Sequence, residues 1–139
     1  MSGVGGAPPG GVKRAIGPLS PPPSAFTEDV VFTHPGGSAE LRCTYEHNGS
    51  MYVGGLRFER VRAYRFVAEG HCTPWHVEGA YDTLVEVEQS DWIDELLAAE
   101  PSETRARWKI RHFLIYVDGS GAYEVAAEEC EWLPEAAVS

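Results

Sequence analysis

Two turn signatures, each set beside runs of alternating hydrophobicity, constrain this chain more than any other feature. Asn48-Gly49 follows residues 39–47, in which Leu41, Cys43, Tyr45 and His47 share one face. Both turn positions tolerate positive φ, so a two-residue hairpin is expected, with Tyr45 opposite Tyr52 as an aromatic cross-strand pair. The second signature, Asp118-Gly119-Ser120-Gly121, separates residues 108–117 from residues 122–128. With all four residues in the loop, Val117 faces Ala122, Tyr116 faces Tyr123 and Leu114 faces Val125. Two hairpins in a chain of this length predict antiparallel β-structure.

The strongest strand signal lies at residues 108–117. Trp108, Ile110, His112, Leu114 and Tyr116 fall on one face, with Arg107, Lys109 and Arg111 on the other. Residues 30–33 and 81–88 also read as strands; in the second, Tyr81, Thr83, Val85 and Val87 alternate with Asp82, Leu84, Glu86 and Glu88. Gly54-Gly55 breaks or bulges the chain, and a long strand over residues 56–68 slips its alternation near Arg60-Val61, as at a bulge. Residues 70–79 read as irregular, because Pro74 bars a helix interior or a central strand. One helix is expected near residues 91–99. Ser90 caps it, Asp91 and Asp94 suit the positive end of its dipole, Trp92/Leu96 and Ile93/Leu97 are i,i+4 pairs, and Pro101 stops it. The expectation is an α+β fold dominated by β, with five to six mostly antiparallel strands in a sheet or half-open small barrel and one short helix.

Residues 1–24 hold six Gly and six Pro and only Val4, Val12, Ile16 and Leu19 as larger apolar groups. That composition buries too little surface to offset ordering entropy, so a disordered tail is expected there, with residues 25–139 as a single domain. The tail lacks the apolar run of a secretory signal, and the longest apolar run, residues 113–117, is far too short to span a bilayer. Three widely spaced cysteines, Cys43, Cys72 and Cys130, fit free thiols in a reducing compartment, so a cytoplasmic location without membrane contact is expected.

Charge is sharply segregated. Residues 66–104 contain ten carboxylates and no Lys or Arg; Arg57, Arg60, Arg62 and Arg65 precede them, and Arg105, Arg107, Lys109 and Arg111 follow. After residue 24 the chain carries 21 acidic and nine basic residues, a net charge of −12. Such a domain repels a phosphate backbone, so no direct nucleic-acid binding through it is expected. One reading pairs the segments internally, with Arg107, Lys109 and Arg111 beside Asp82, Glu86 and Glu88 on a sheet. The acids left over suggest a face for a basic protein partner, built from Glu86, Glu88, Asp91, Asp94, Glu95 and Glu100, with Trp92 or Trp108 as an aromatic anchor. In charge and size this is analogous to bacterial immunity proteins and inhibitors, without a shared motif.

Two alternatives follow from other residues. His71, Cys72, His76 and Glu78 lie within eight residues, and His112 faces inward on its own strand, a set that would suit zinc or iron if it converged. Against it, the sequence has neither His-x-His nor Cys-x-x-Cys, and no cofactor is expected on the preferred reading. A small-molecule binder of β-barrel type, with a cavity behind Tyr116 and Tyr123, is the third reading. Neither Gly-x-Ser-x-Gly nor a phosphate loop is present, so no catalytic residue is assigned from sequence.

Overall fold

The computed structural model describes residues 11–18, 25–34, 36–47, 49–105, 107 and 109–138, and for residues 25–29 and 47 the backbone only. It contains two antiparallel sheets. Strands β1 (Val12–Pro18), β6 (Thr83–Glu88), β7 (Arg111–Val117), β8 (Gly121–Ala127) and β5 (Ala63–Ala68) form the first in the order β1-β6-β7-β8-β5. Strands β2 (Ala25–Thr33), β3 (Ala39–His47), β4 (Ser50–Glu59) and β9 (Glu129–Ala137) form the second in the order β2-β3-β4-β9. Short helices α1 (Pro74–Val77), α2 (Asp91–Ala98) and α3 (Ser102–Arg105) complete the described elements, with a single 3-10 turn at Glu69–His71. The β-dominated α+β class expected from the hairpins is the class observed. The sheets do not close into a barrel.

The sheets pack face to face. Leu41 and Tyr45 of β3, and Leu56 and Phe58 of β4, meet Phe113, Ile115 and Val117 of β7 and Tyr123 and Val125 of β8. Burial of each such large side chain stabilises the fold by about 1.5–3 kcal/mol. The five-stranded sheet has a second buried face: Val85, Val87, Leu114, Tyr116 and Ala122 pack beneath Cys72, Trp75 and Val77 around α1. Strands β7 and β8 are thus covered on both sides, and every residue of β8 is buried. A strand in that position has no solvent face on which to place a charge. It nevertheless carries Glu124.

Several expectations are corrected here. The strand predicted over residues 56–68 is two strands in different sheets. Arg60 adopts φ 53°, and the chain crosses from β4 to β5 at that point. Val12–Pro18, within the segment expected to be tail, forms β1 and pairs with β6 from Val12↔Glu88 to Pro18↔Thr83; residues 1–10 and 19–24 lie outside the described residues. Strand β9, Glu129–Ala137, has no counterpart among the expected strands. Trp108 lies outside the described residues, so the anchor role expected of it has no structural account.

The first hairpin has the expected register, with His47↔Ser50 and Tyr45↔Tyr52. The second is displaced by one residue: Val117 pairs with Gly121, Tyr116 with Ala122, Ile115 with Tyr123 and Leu114 with Glu124. Gly121 belongs to the strand and not to the loop. Its φ is 149°, and a Cβ there would lie 2.2 Å from the Val67 carbonyl oxygen of β5, so glycine is required by a close approach of backbone. A one-residue slip moves a whole strand to the other face. Tyr123 and Val125 consequently enter the core between the sheets, and Glu124 turns toward His112 on the face covered by the helices.

Candidate functional site: an acidic helix over a buried relay

Helix α2 begins as its sequence predicts. The Ser90 hydroxyl accepts the Ile93 N–H at 3.2 Å, and Ile93 is the one buried residue of the helix. Just upstream, Gln89 takes φ 56°, so β6 turns sharply into the helix at Ser90. Ser90, His112 and Glu124 are 5, 1 and 1% exposed. They are linked in series. Ser90 Oγ lies 2.7 Å from His112 Nδ1, and His112 Nε2 lies 2.7 Å from Glu124 Oε1. Arg65 of β5 closes the far end, its Nε and Nη2 donating to the two carboxylate oxygens at 2.9 and 3.0 Å.

The proton positions follow from this chain of contacts. Burial by itself would raise the Glu124 carboxyl. The hydrogen bonds from His112 and Arg65 outweigh that effect and hold it down to about 2, so it is an ionised acceptor at neutral pH. Nε2 of His112 is then the donor to the carboxylate; in the neutral imidazole this tautomer leaves the Nδ1 lone pair facing Ser90. With Nδ1 as acceptor, the Ser90 hydroxyl donates to it while accepting from the Ile93 N–H. Every buried polar side-chain atom among the described residues is satisfied in this way.

Aromatic rings and a cation enclose the relay. Trp92 sits edge-on to the His112 ring at 4.9 Å, with the Arg65 guanidinium 4.3 Å from the Trp92 ring centroid. Trp75 of α1 lies 6.3 Å from the same histidine. Lys13 of β1 places its ammonium 4.7 Å from the Trp75 ring centroid and donates to the Trp75 and Glu78 carbonyls. Burial lowers Lys13, against the opposing influence of Glu78 and Glu124. A pocket of about 280 Å³ opens beside the relay, with Ser90 and His112 on its wall next to Gln89, Ile93, Ile110 and Arg111.

The acids expected to meet a partner divide into two groups. Glu86 is engaged internally: Arg111 Nη2 lies 2.8 Å from its Oε1, Arg14 of β1 donates to the same oxygen, and these cations lower its carboxyl. Arg14 also reaches Glu88 at 3.5 Å. On α2, Asp91, Asp94 and Glu95 are exposed and have no ion pair among the described residues. Glu100 follows the helix half-buried, and its backbone carbonyl accepts from Arg105 at 2.9 Å. Trp92 is half-buried, edge-on to His112 and beneath the Arg65 guanidinium. Of the pairing expected between sheet cations and the acidic strand, the contact formed is Arg111 with Glu86; Asp82 instead accepts the Asp118 N–H at 3.0 Å. The earlier basic run turns away from the acidic block. Arg57 pairs with Glu59 and Glu40, Arg60 and Arg62 with Glu128, and Arg65 with Glu124.

The metal alternative fares differently. His76 caps α1 by accepting the Thr73 N–H on Nδ1 at 2.9 Å, and its Nε2 is 4.0 Å from Glu124. Burial lowers His76, only partly offset by Glu124. His71 and Glu78 are exposed, and the Cys72 thiol donates to the Val67 carbonyl at 3.4 Å. Among the described residues, no three of His, Cys, Asp and Glu converge as a metal-binding group. All three cysteines are free, and burial pushes the thiols of Cys43 and Cys130 up to about 12.

Tyr116 and Tyr123, expected to back one cavity, lie on opposite faces of one sheet, so no cavity among the described residues lies behind both rings. Tyr123 instead borders an aromatic cleft of about 470 Å³ with Phe32, Tyr64 and Phe66. No helix among the described residues is long and apolar enough to cross a membrane. Comparison with protein-family models, with curated proteins and with solved structures finds no match to this chain.

Proposed function

We propose that this chain is a binding protein that docks a basic protein partner through the outward face of α2. One observation carries the reading: once Glu86 and Glu88 are paired with Arg14 and Arg111, the exposed carboxylates of Asp91, Asp94 and Glu95 remain, on one short helix, without an ion-pair partner among the described residues. The buried relay supports it mechanically. Ser90 is at once the N-cap of α2 and a partner of His112, so the acidic face is tied to the centre of the sheet. A rigid charged face loses little entropy on docking, and its field raises the encounter rate with a cationic surface.

The test is a charge reversal. A partner captured by the wild-type chain at low ionic strength is expected to be lost when Asp91, Asp94 and Glu95 are all changed to Lys. It should be retained when exposed Glu131 on β9 is reversed instead. Association should slow as salt is added. Equal retention by the triple variant and the Glu131→Lys control removes α2 as the docking face.

A further inference from the structure

We propose that Ser90, His112 and Glu124 form a nucleophilic relay able to transfer the acyl group of a small ester to water. The proposal is independent of the docking reading and rests on geometry already described. A hydroxyl, an imidazole and an ionised carboxylate are joined by two 2.7 Å hydrogen bonds. In the neutral imidazole the carboxylate accepts from Nε2–H and Nδ1 accepts from the hydroxyl. That is the arrangement a serine nucleophile needs: a base in contact with its proton and an acid that orients the base. The connection differs from the usual one in using Nδ1 toward the hydroxyl and Nε2 toward the acid, a change of ring orientation that leaves the proton path intact.

Three further features fit a reactive role. The turn from β6 into α2, with Gln89 at positive φ, presents Ser90 at a helix N-terminus. The N–H groups of Asp91 and Trp92 in the first turn have no acceptor within an α-helix, which leaves donors next to Ser90 for a developing oxyanion. Ser90, which is 5% exposed, borders a pocket of about 280 Å³ together with Ile93, Ile110 and His112, the space from which a small acyl group would approach it. Glu88 and Asp94 stand on its rim, so an uncharged or cationic ester is favoured over an anionic one.

In the first half-reaction Ser90 Oγ bonds to the ester carbonyl carbon and passes its proton to His112 Nδ1. The carbon–oxygen bond to the alcohol then breaks, and the alcohol leaves with that proton. In the second, water attacks the acyl-serine and gives a proton to His112. Ser90 Oγ departs and takes it back, releasing the carboxylic acid. Glu124, which does not touch the substrate, is a positioning residue, and so is Arg65 behind it.

The full-length chain treated with a fluorophosphonate should gain one covalent adduct, mapped to Ser90 by mass spectrometry, and should hydrolyse p-nitrophenyl acetate above background. Ser90→Ala should abolish the adduct and lower turnover at least about 100-fold. Because Ser90→Ala also removes the cap of α2, Ser90→Asn, whose side-chain oxygen still caps the helix but offers no hydroxyl nucleophile, serves as a second probe: it too is expected to abolish the adduct while circular dichroism shows the fold retained. Folded wild-type protein that takes up no fluorophosphonate, or an adduct on another residue, overturns the proposal.

Discussion

Glu124 is the residue on which the polar centre turns. Its folded-state value of about 2 lies below the 4.5 of the unconstrained carboxyl, because the bonds from His112 and Arg65 overcome the cost of burial. Ionisation therefore favours the fold at every pH above about 4.5, and the advantage drains away as pH falls from there toward 2. At neutral pH it amounts to about 3 kcal/mol. Glu124→Gln should lose stability of that order at pH 7, and the gap to wild type should narrow steadily below pH 4.5. Urea midpoints of both proteins at pH 7 and pH 3 check this; an equal gap at the two values refutes it. The sequence carried one signal for this residue, a lone carboxylate in an otherwise uncharged run, Gly121–Ala127. It was lost because Gly121 looks like a loop residue. Placing it in the loop rotates the strand and turns Glu124 away from His112. Ser90 and His112 were each singled out, one as a helix cap and the other as a metal ligand, but their contact spans 22 residues of chain and no local pattern reports it.

At the scale of elements, local chemistry was legible wherever it was decisive. Asn48-Gly49 sets the β3–β4 register, and Ser90, the apolar i,i+4 pairs and Pro101 bound α2. Tertiary contacts decided the rest. Strand β1 has little hydrophobic signal of its own: Val12 and Ile16 are 42 and 39% exposed. It is held by pairing with β6, by Arg14 on Glu86 and Glu88, and by Lys13 on the Trp75 and Glu78 carbonyls. The nearest of those partners, Trp75, lies 57 residues beyond Pro18, where β1 ends. Backbone hydrogen bonds contribute about 0.5–1.5 kcal/mol each net, so a strand of this length offsets its own ordering with little to spare. A chain beginning at residue 19 should therefore unfold at lower urea, by about 1–3 kcal/mol, and the amides of Thr83–Glu88 should lose hydrogen-exchange protection. Equal midpoints and unchanged protection along β6 would show that β1 adds nothing to the sheet.

Over the whole molecule, the cations are spent locally. Arg14, Arg42, Arg57, Arg60, Arg62, Arg65 and Arg111 all lie within 4 Å of a carboxylate, while the chain as a whole keeps a net charge of −10. Two electrostatic effects on stability thus oppose each other. The exposed pairs contribute from nothing to about 1 kcal/mol each and weaken with salt. The surplus carboxylates repel one another over longer distances, and screening relieves that repulsion, since the Debye length falls from about 30 Å at 0.01 M to about 10 Å at 0.1 M. The Glu124–His112 contact is shielded from both changes by its depth, each residue being 1% exposed, whereas Arg65 reaches it from an exposed position. Long-range repulsion is the effect that salt reaches first, so the melting temperature should rise by a few degrees between about 0.01 and 0.1 M NaCl, a gain near 1 kcal/mol for a domain of this size. A melting temperature that falls over that interval would show that the surface pairs, and not the unpaired acids of α2, dominate the electrostatics of the molecule. It would also weaken the case for a surface poised to receive a cation.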